Sequence, residues 1–109
     1  MQNKFPSPIK IACYEIEVKA MSLATAKKEE AYGTFSGTNQ LIKISREYCP
    51  NVLAVFLHEL IHAVEWAYAV DGDTTEESRV DAVAIGFTQI FQDNPDVLRF
   101  INGEVQGRQ

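Results

Sequence analysis

The stretch Val52-Leu-Ala-Val-Phe-Leu-His58-Glu59-Leu-Ile-His62-Ala-Val-Glu-Trp-Ala67 holds both histidines of the chain, four positions apart, with a glutamate directly after the first. No Gly or Pro interrupts the run from Val52 to Val70, and Pro50 stands where a first helical turn tolerates a missing N–H. The stretch therefore reads as one long helix, with Cys49 or Tyr48 ahead of it in the capping position. Apolar residues fill most of its circumference, and His58, His62 and Glu65 form one narrow polar stripe. Such a helix belongs in the interior, with the stripe turned to a cleft. The rest of the fold has to be built round it.

Residues four apart on a helix lie one above the other, so the two imidazoles leave the same face and can share one metal ion. Glu59 then stands beside that ion. Two neutral imidazole donors, with a carboxylate that takes a proton from the attacking water and passes it to the leaving amine, are what a zinc peptidase needs. A lone buried histidine is usually a hydrogen-bonded core residue, whereas two at this spacing with Glu between them are seldom a coincidence. Glu59 and His62 also have the i, i+3 spacing of di-iron bundles. Those need a second such pair on another helix, and no further histidine exists to supply it.

The chain has 109 residues, enough for one domain with a single core, and no linker or repeat divides them. Fifteen acidic against ten basic residues give a net charge of −5, and Lys27-Lys28 is the largest basic cluster. This balance counts against nucleic acid and anionic membranes as partners and favours a neutral or cationic peptide. No apolar run approaches membrane-spanning length and no apolar signal segment follows Met1, so the sequence predicts a cytoplasmic protein. Cys13 and Cys49 lack metal-ligand spacing and read as buried thiols or one bridge, with a reducing compartment favoured.

Alternating apolar residues predict a strand from Pro8 to Lys19 with an irregularity near Tyr14. Leu23 to Glu30 reads as a short helix or as a loop crossing the sheet. Residues 31–35 and 40–45, separated by Ser36-Gly-Thr-Asn39, read as an antiparallel hairpin. Its second strand, Gln40 to Ser45, is expected at the cleft edge, where an extended peptide adds as a further strand. Beyond the loop Asp71-Gly-Asp-Thr-Thr75, the spacing of Val80, Val83, Ala84, Phe87, Ile90 and Phe91 predicts a second long helix over 76–92. Asn94 and Pro95 then cap and open a last short helix that Asn102-Gly103 ends, leaving 102–109 as a frayed tail. The fold class is α+β, a small and mainly antiparallel sheet packed on the histidine-bearing helix, with the second helix closing the site.

A catalytic zinc site takes three protein donors and keeps one position open. The second helix offers Glu76, Glu77 and Asp81, of which Glu77 and Asp81 share a face. Should that face meet the histidine stripe, Glu77 binds the metal and Asp81 accepts the free N–H of a ligand histidine. Each also has a structural reading, because Thr74 with Glu77 fits a helix capping box and Asp81 fits an exposed charge. Glu65, on the stripe with both histidines, reads as a residue that supports a metal ligand from behind or forms a salt bridge, with the role of ligand the least favoured.

With these residues the sequence resembles the gluzincin branch of the zincin metallopeptidases, in which the His-Glu-x-x-His helix is followed by a helix bearing Glu-x-x-x-Asp. Here that second motif is Glu77-Ser-Arg-Val-Asp81. By size the chain is most similar to the minigluzincins, and its second helix is similar to that of the repressor-cleaving metallopeptidases of phages and mobile elements. The resemblance spans roughly residues 9–92. It implies a zinc ion held by His58, His62 and Glu77, with Glu59 as catalytic base, Asp81 orienting a ligand histidine, and a peptide or protein as substrate. A register shifted by one would put Glu76 in place of Glu77. Larger gluzincins use a Tyr or His beyond the motif to stabilise the oxyanion, and Tyr68 and Arg79 are the candidates for that role here. Two other readings stand beside this one: a structural zinc cross-linking the two helices, and a latent or regulatory protein whose tail from Asn102 onward blocks the cleft.

Overall fold

A computed structural model describes residues 3–107. The elements run β1 (Ile9–Ile11), β2 (Tyr14–Ala20), α1 (Leu23–Glu29), β3 (Gly33–Ser36), β4 (Leu41–Ile44), α2 (Val52–Ala67), α3 (Glu76–Asp93) and α4 (Pro95–Gln106). The four strands form one sheet in the order β1-β2-β4-β3. β1 pairs with β2 and β3 with β4 antiparallel, while β2 and β4 run parallel, so the α+β fold carries a mixed sheet. The parallel pair follows from α1, which carries the chain past the place of β4. β3 is laid down first on the far side, and β4 hairpins back between it and β2.

The single strand expected from Pro8 to Lys19 is two. The chain turns at Ala12 and Cys13, with Ala12 in the left-handed region at φ 54°, and Ile11 faces Tyr14 across the turn. A two-residue turn preserves alternation but shifts its parity, so the buried residues are Ile9 and Ile11 and then Ile16 and Val18. With no Gly or Asn in the turn, the only local sign of it was the irregularity expected near Tyr14.

The buried face of the sheet presents Ile9, Ile11, Ile16, Val18, Ile42 and Ile44 to Phe56, Leu60, Ala63 and Val64 of α2. Ile90 of α3 and Val97 and Phe100 of α4 complete this core, with Phe56 and Phe100 ring to ring at 4.6 Å. At roughly 1.5–3 kcal/mol for each large apolar side chain taken from water, this cluster is the main stabilising element.

The helix ends depart from expectation in ways that bear on the site. Asn51 caps α2, its side chain accepting the N–H of Ala54, so Pro50 lies ahead of the cap and not within the first turn. Thr75, not Thr74, caps α3 by accepting the N–H of Ser78 at 3.1 Å. Glu77 is thereby the second helical residue and not the third, and the capping-box reading of it falls. α4 continues through Gly103 to Gln106. Gly103 marks a close approach and not a stop, since a β-carbon there would lie 2.6 Å from the Asn3 side chain. Asn3 donates to Phe100 O and to Glu104, and Arg46 pairs with Glu104 at 3.3 Å. The expected frayed tail is therefore helical and anchored against Asn3 and Arg46 as far as residue 106, and residues 108–109 lie outside the described part.

The two edges of the sheet are treated differently. At the β1 edge, Asn94 accepts the N–H of Lys10 at 2.8 Å and donates to Lys10 O, while Gln89 accepts the N–H of Ala12 and also donates to Lys10 O. Side chains of α3 and its C-terminus thus satisfy the backbone that another strand would otherwise seek. β3 forms the opposite edge, alongside α2. Among the described residues no helix is long and apolar enough to cross a membrane, and Cys13 (exposed) and Cys49 (buried) are unbridged.

Candidate metal centre

The uninterrupted helix α2 sets the geometry of the histidine pair. His58 and His62 are exposed, with their Nε2 atoms 3.2 Å apart and their rings nearly perpendicular, at 78° and 4.8 Å between centroids. One neutral ring can donate to the other at that distance. The same separation suits a shared metal: a tetrahedral zinc bonded to two imidazole nitrogens holds them about 3.3 Å apart.

Glu59 follows His58 by about 100° of helical rotation, which turns it from the exposed stripe towards β3. It is 6 % exposed. Gly33 is what lets the strand come so near. A β-carbon at that position would meet Val55 Cγ1 at 2.8 Å, Lys43 O at 3.1 Å and Glu59 Cγ at 3.2 Å. Burial pushes the Glu59 carboxyl above its ordinary value, and the neighbouring charges of His58 and His62 draw it partly back. A carboxyl raised in this way is better matched to accept and return a proton near neutrality.

Open space flanks Glu59 on both sides of the α2–β3 seam. One cavity, of about 350 Å³, lies towards Tyr32, Ala54 and His58, and another, of about 360 Å³, lies towards Thr34, Phe35 and His62. Ser45 donates its N–H to Tyr32 O, and the β3–β4 register pairs Thr34 with Lys43 and Ser36 with Leu41. Hydrogen-bonded pairs alternate in an antiparallel ladder, so the N–H and C=O of Gly33 and Phe35 point away from β4 to the free edge. The cleft edge is thus β3. β4, expected there from the sequence, is interior because it also pairs with β2.

The acids of α3 are not brought to the pair. Gly86 marks tight packing of α3 on α2, where a β-carbon would lie 2.6 Å from Val64 Cγ1. Glu77 precedes it by nine residues, about two and a half turns and 13 Å along the axis, and so lies on the opposite side. Asp81 stands in the same relation to buried Ile90, and both acids are exposed. Among the described residues no three of His, Cys, Asp or Glu form a metal-holding group. Arg79 pairs with Glu65 at 3.4 Å and donates to Asp71 O, and the Tyr68 hydroxyl donates to Gln89. Glu65 is accordingly the salt-bridging residue expected, while both oxyanion candidates are engaged elsewhere. Sequence reasoning missed Gly33, although a glycine inside a strand is a recognisable mark of close backbone approach. Comparison of the chain with protein-family models, with curated proteins and with solved structures finds no match.

Proposed function

We propose that this chain is a zinc-dependent peptidase of zincin type, similar to the gluzincins, acting on extended segments of peptide or protein in the cytoplasm. The observation that carries the reading is the histidine pair with its nitrogens 3.2 Å apart, followed in sequence by a buried carboxyl. Zinc bound there supplies a Lewis acid that polarises the scissile carbonyl and makes water acidic enough to lose a proton near neutral pH. His58 and His62 hold it as neutral rings. Glu59 accepts the proton from the attacking water and delivers it to the leaving amine. The substrate lies along β3 as an added strand, bonded to the outward N–H and C=O groups of Gly33 and Phe35, which orients its carbonyl over the seam. The resemblance assigns the third donor to Glu77 and an orienting role to Asp81. Both roles need the first turns of α3 to come round to the pair. The two unbridged thiols fit a reducing compartment.

The test is metal analysis joined to hydrolysis of unstructured peptides. His58→Ala and His62→Ala are each expected to abolish zinc binding. Glu59→Gln is expected to keep zinc and fold while hydrolysis drops about a hundredfold or more. Full zinc occupancy in either histidine variant, or undiminished hydrolysis by Glu59→Gln, overturns the reading.

A further inference from the structure

We infer that Trp66 is a positioning residue: its indole holds the far end of β3 against α2 through Gly37, and so fixes the distance and tilt at which the open edge carries a substrate strand past the histidine pair. The inference rests on the peptidase reading and adds to it the contact that holds the substrate's docking edge.

The arrangement follows from the spacing of α2. Val55, Glu59, His62 and Trp66 fall at steps of four, three and four, which sets them in one line along the helix. β3 runs beside that line in the same direction. Gly33 lies against Val55 and Glu59, Phe35 meets Trp66 at 5.8 Å between ring centroids, and Gly37 lies against the Trp66 indole. Eleven helical residues rise about 16 Å and four strand steps cover about 13 Å, so the two elements stay side by side for about three turns. Between the two glycines the strand passes the cavity of about 360 Å³ lined by Thr34, Phe35, Glu59 and His62. A strand supported at its ends beside an opening takes its height and tilt from those ends.

The contact at Gly37 is close and stiff. A β-carbon there would overlap the indole nitrogen and lie 2.6 Å from Cε2 and 2.7 Å from Cδ1. Gly37 does not take up left-handed backbone, so its missing side chain serves this approach and not the turn. Tyr14 packs on the indole at 4.4 Å between centroids and Phe35 meets it edge-on, so two further rings keep it in place. The turn is braced as well, with Gln40 N–H donating to Gly37 O at 3.1 Å and Asn39 N–H to Ser36 Oγ at 3.2 Å. A shift at Gly37 is therefore passed along β3 to the outward groups of Phe35 and Gly33. Trp66 itself is 38 % exposed and lies outside the buried core, so the fold does not rest on it as it does on Phe56 and Leu60.

The experiment uses the full chain loaded with zinc. Turnover of an unstructured peptide gives kcat and KM, and peptide affinity is measured directly on zinc-loaded proteins that also carry Glu59→Gln. In Trp66→Ala and in Gly37→Ala, zinc affinity is expected to stay at the wild-type value while KM rises and peptide affinity falls, each by about tenfold. Trp66→Phe, which keeps a ring beside Tyr14 and Phe35, is expected to lose less than Trp66→Ala. The split separates positioning from folding, because a partly unfolded enzyme loses apparent kcat at unchanged KM. Gly37→Ala leaves helix and ring intact and decides the question should Trp66→Ala fail to fold. Wild-type KM and peptide affinity in Gly37→Ala, a loss carried by kcat alone, or weakened zinc binding in folded Trp66→Ala overturns the positioning role and leaves the peptidase reading standing. Zinc binding by the wild type without cleavage of any peptide overturns the peptidase reading, and the positioning role falls with it.

Discussion

Gly33 decides how near β3 comes to Glu59. Its missing side chain is the gap into which Val55 and the Glu59 methylenes fit. Gly33→Ala places a methyl 2.8 Å from Val55 Cγ1 and 3.2 Å from Glu59 Cγ, and one wall of that gap is the backbone oxygen of Lys43, which cannot swing aside. Overpacking of this kind is expected to cost about 1–3 kcal/mol in urea unfolding. Zinc binding by the exposed histidines should survive, while peptide hydrolysis falls because strand and Glu59 are pushed apart. A variant as stable and as active as the wild type would show that the contact does not hold the base. His58, Glu59 and His62 were legible from sequence because helical spacing alone fixes their relation. Gly33 was legible only as a mark of close approach within a strand, since what approaches it is α2, whose packing on β3 no local pattern encodes.

At the scale of the element, legibility followed the length of the pattern. α2 and α3 were readable to within a few residues because their apolar patterns extend over several turns, and the β3–β4 hairpin because its turn contains Gly37 and Asn39. The β1–β2 hairpin was hidden by a turn of Ala12 and Cys13, and the end of α4 by a glycine that serves packing. The face of α3 turned to α2 was also misjudged, because Glu77 and Asp81 share a face whichever way the helix is rotated. That face is set by Gly86 and Ile90, which are buried, and by Gln89 and Asn94, which tie this end of α3 to β1. The first turns have Arg79, paired with Glu65, as their described link to α2. If the resemblance extends to metal binding, these turns are the part that shifts to reach the pair. Zinc titration of Glu77→Gln is then expected to show at least a tenfold loss of affinity, and zinc should slow amide exchange over residues 71–81. Loss in Glu76→Gln or Asp81→Asn instead would move the donor to that residue. Wild-type affinity in all three variants would remove α3 from the metal centre.

Across the described residues, one edge of the sheet is sealed and the other is left open beside Glu59. Sealing is shared by Gln89 and Asn94, of which the more buried is Asn94. It occupies the first boundary of α4, where the sequence suggested a cap, yet its side chain makes no capping bond and turns to β1 instead. There it accepts from Lys10 N–H at 2.8 Å and donates to Lys10 O and Ile90 O, each at 2.9 Å, while 7 % exposed. Asn94→Ala would leave the Lys10 N–H without its acceptor, and an unsatisfied backbone donor costs about 1–3 kcal/mol. Asn94 also donates to Ile90 O where α3 ends, so the measured loss covers that bond as well as the edge. Asn94→Asp keeps the acceptor for Lys10 N–H but loses both donated bonds, so it should fall between wild type and Ala. Urea unfolding of the three proteins gives the order, and a zinc titration should find the histidine pair, on another face of the core, unchanged. If Asn94→Ala unfolds with wild-type stability, the edge is held by Gln89 and not by Asn94. If it weakens zinc binding as well, the two ends of the sheet are coupled, and the open β3 edge is not independent of the sealed one.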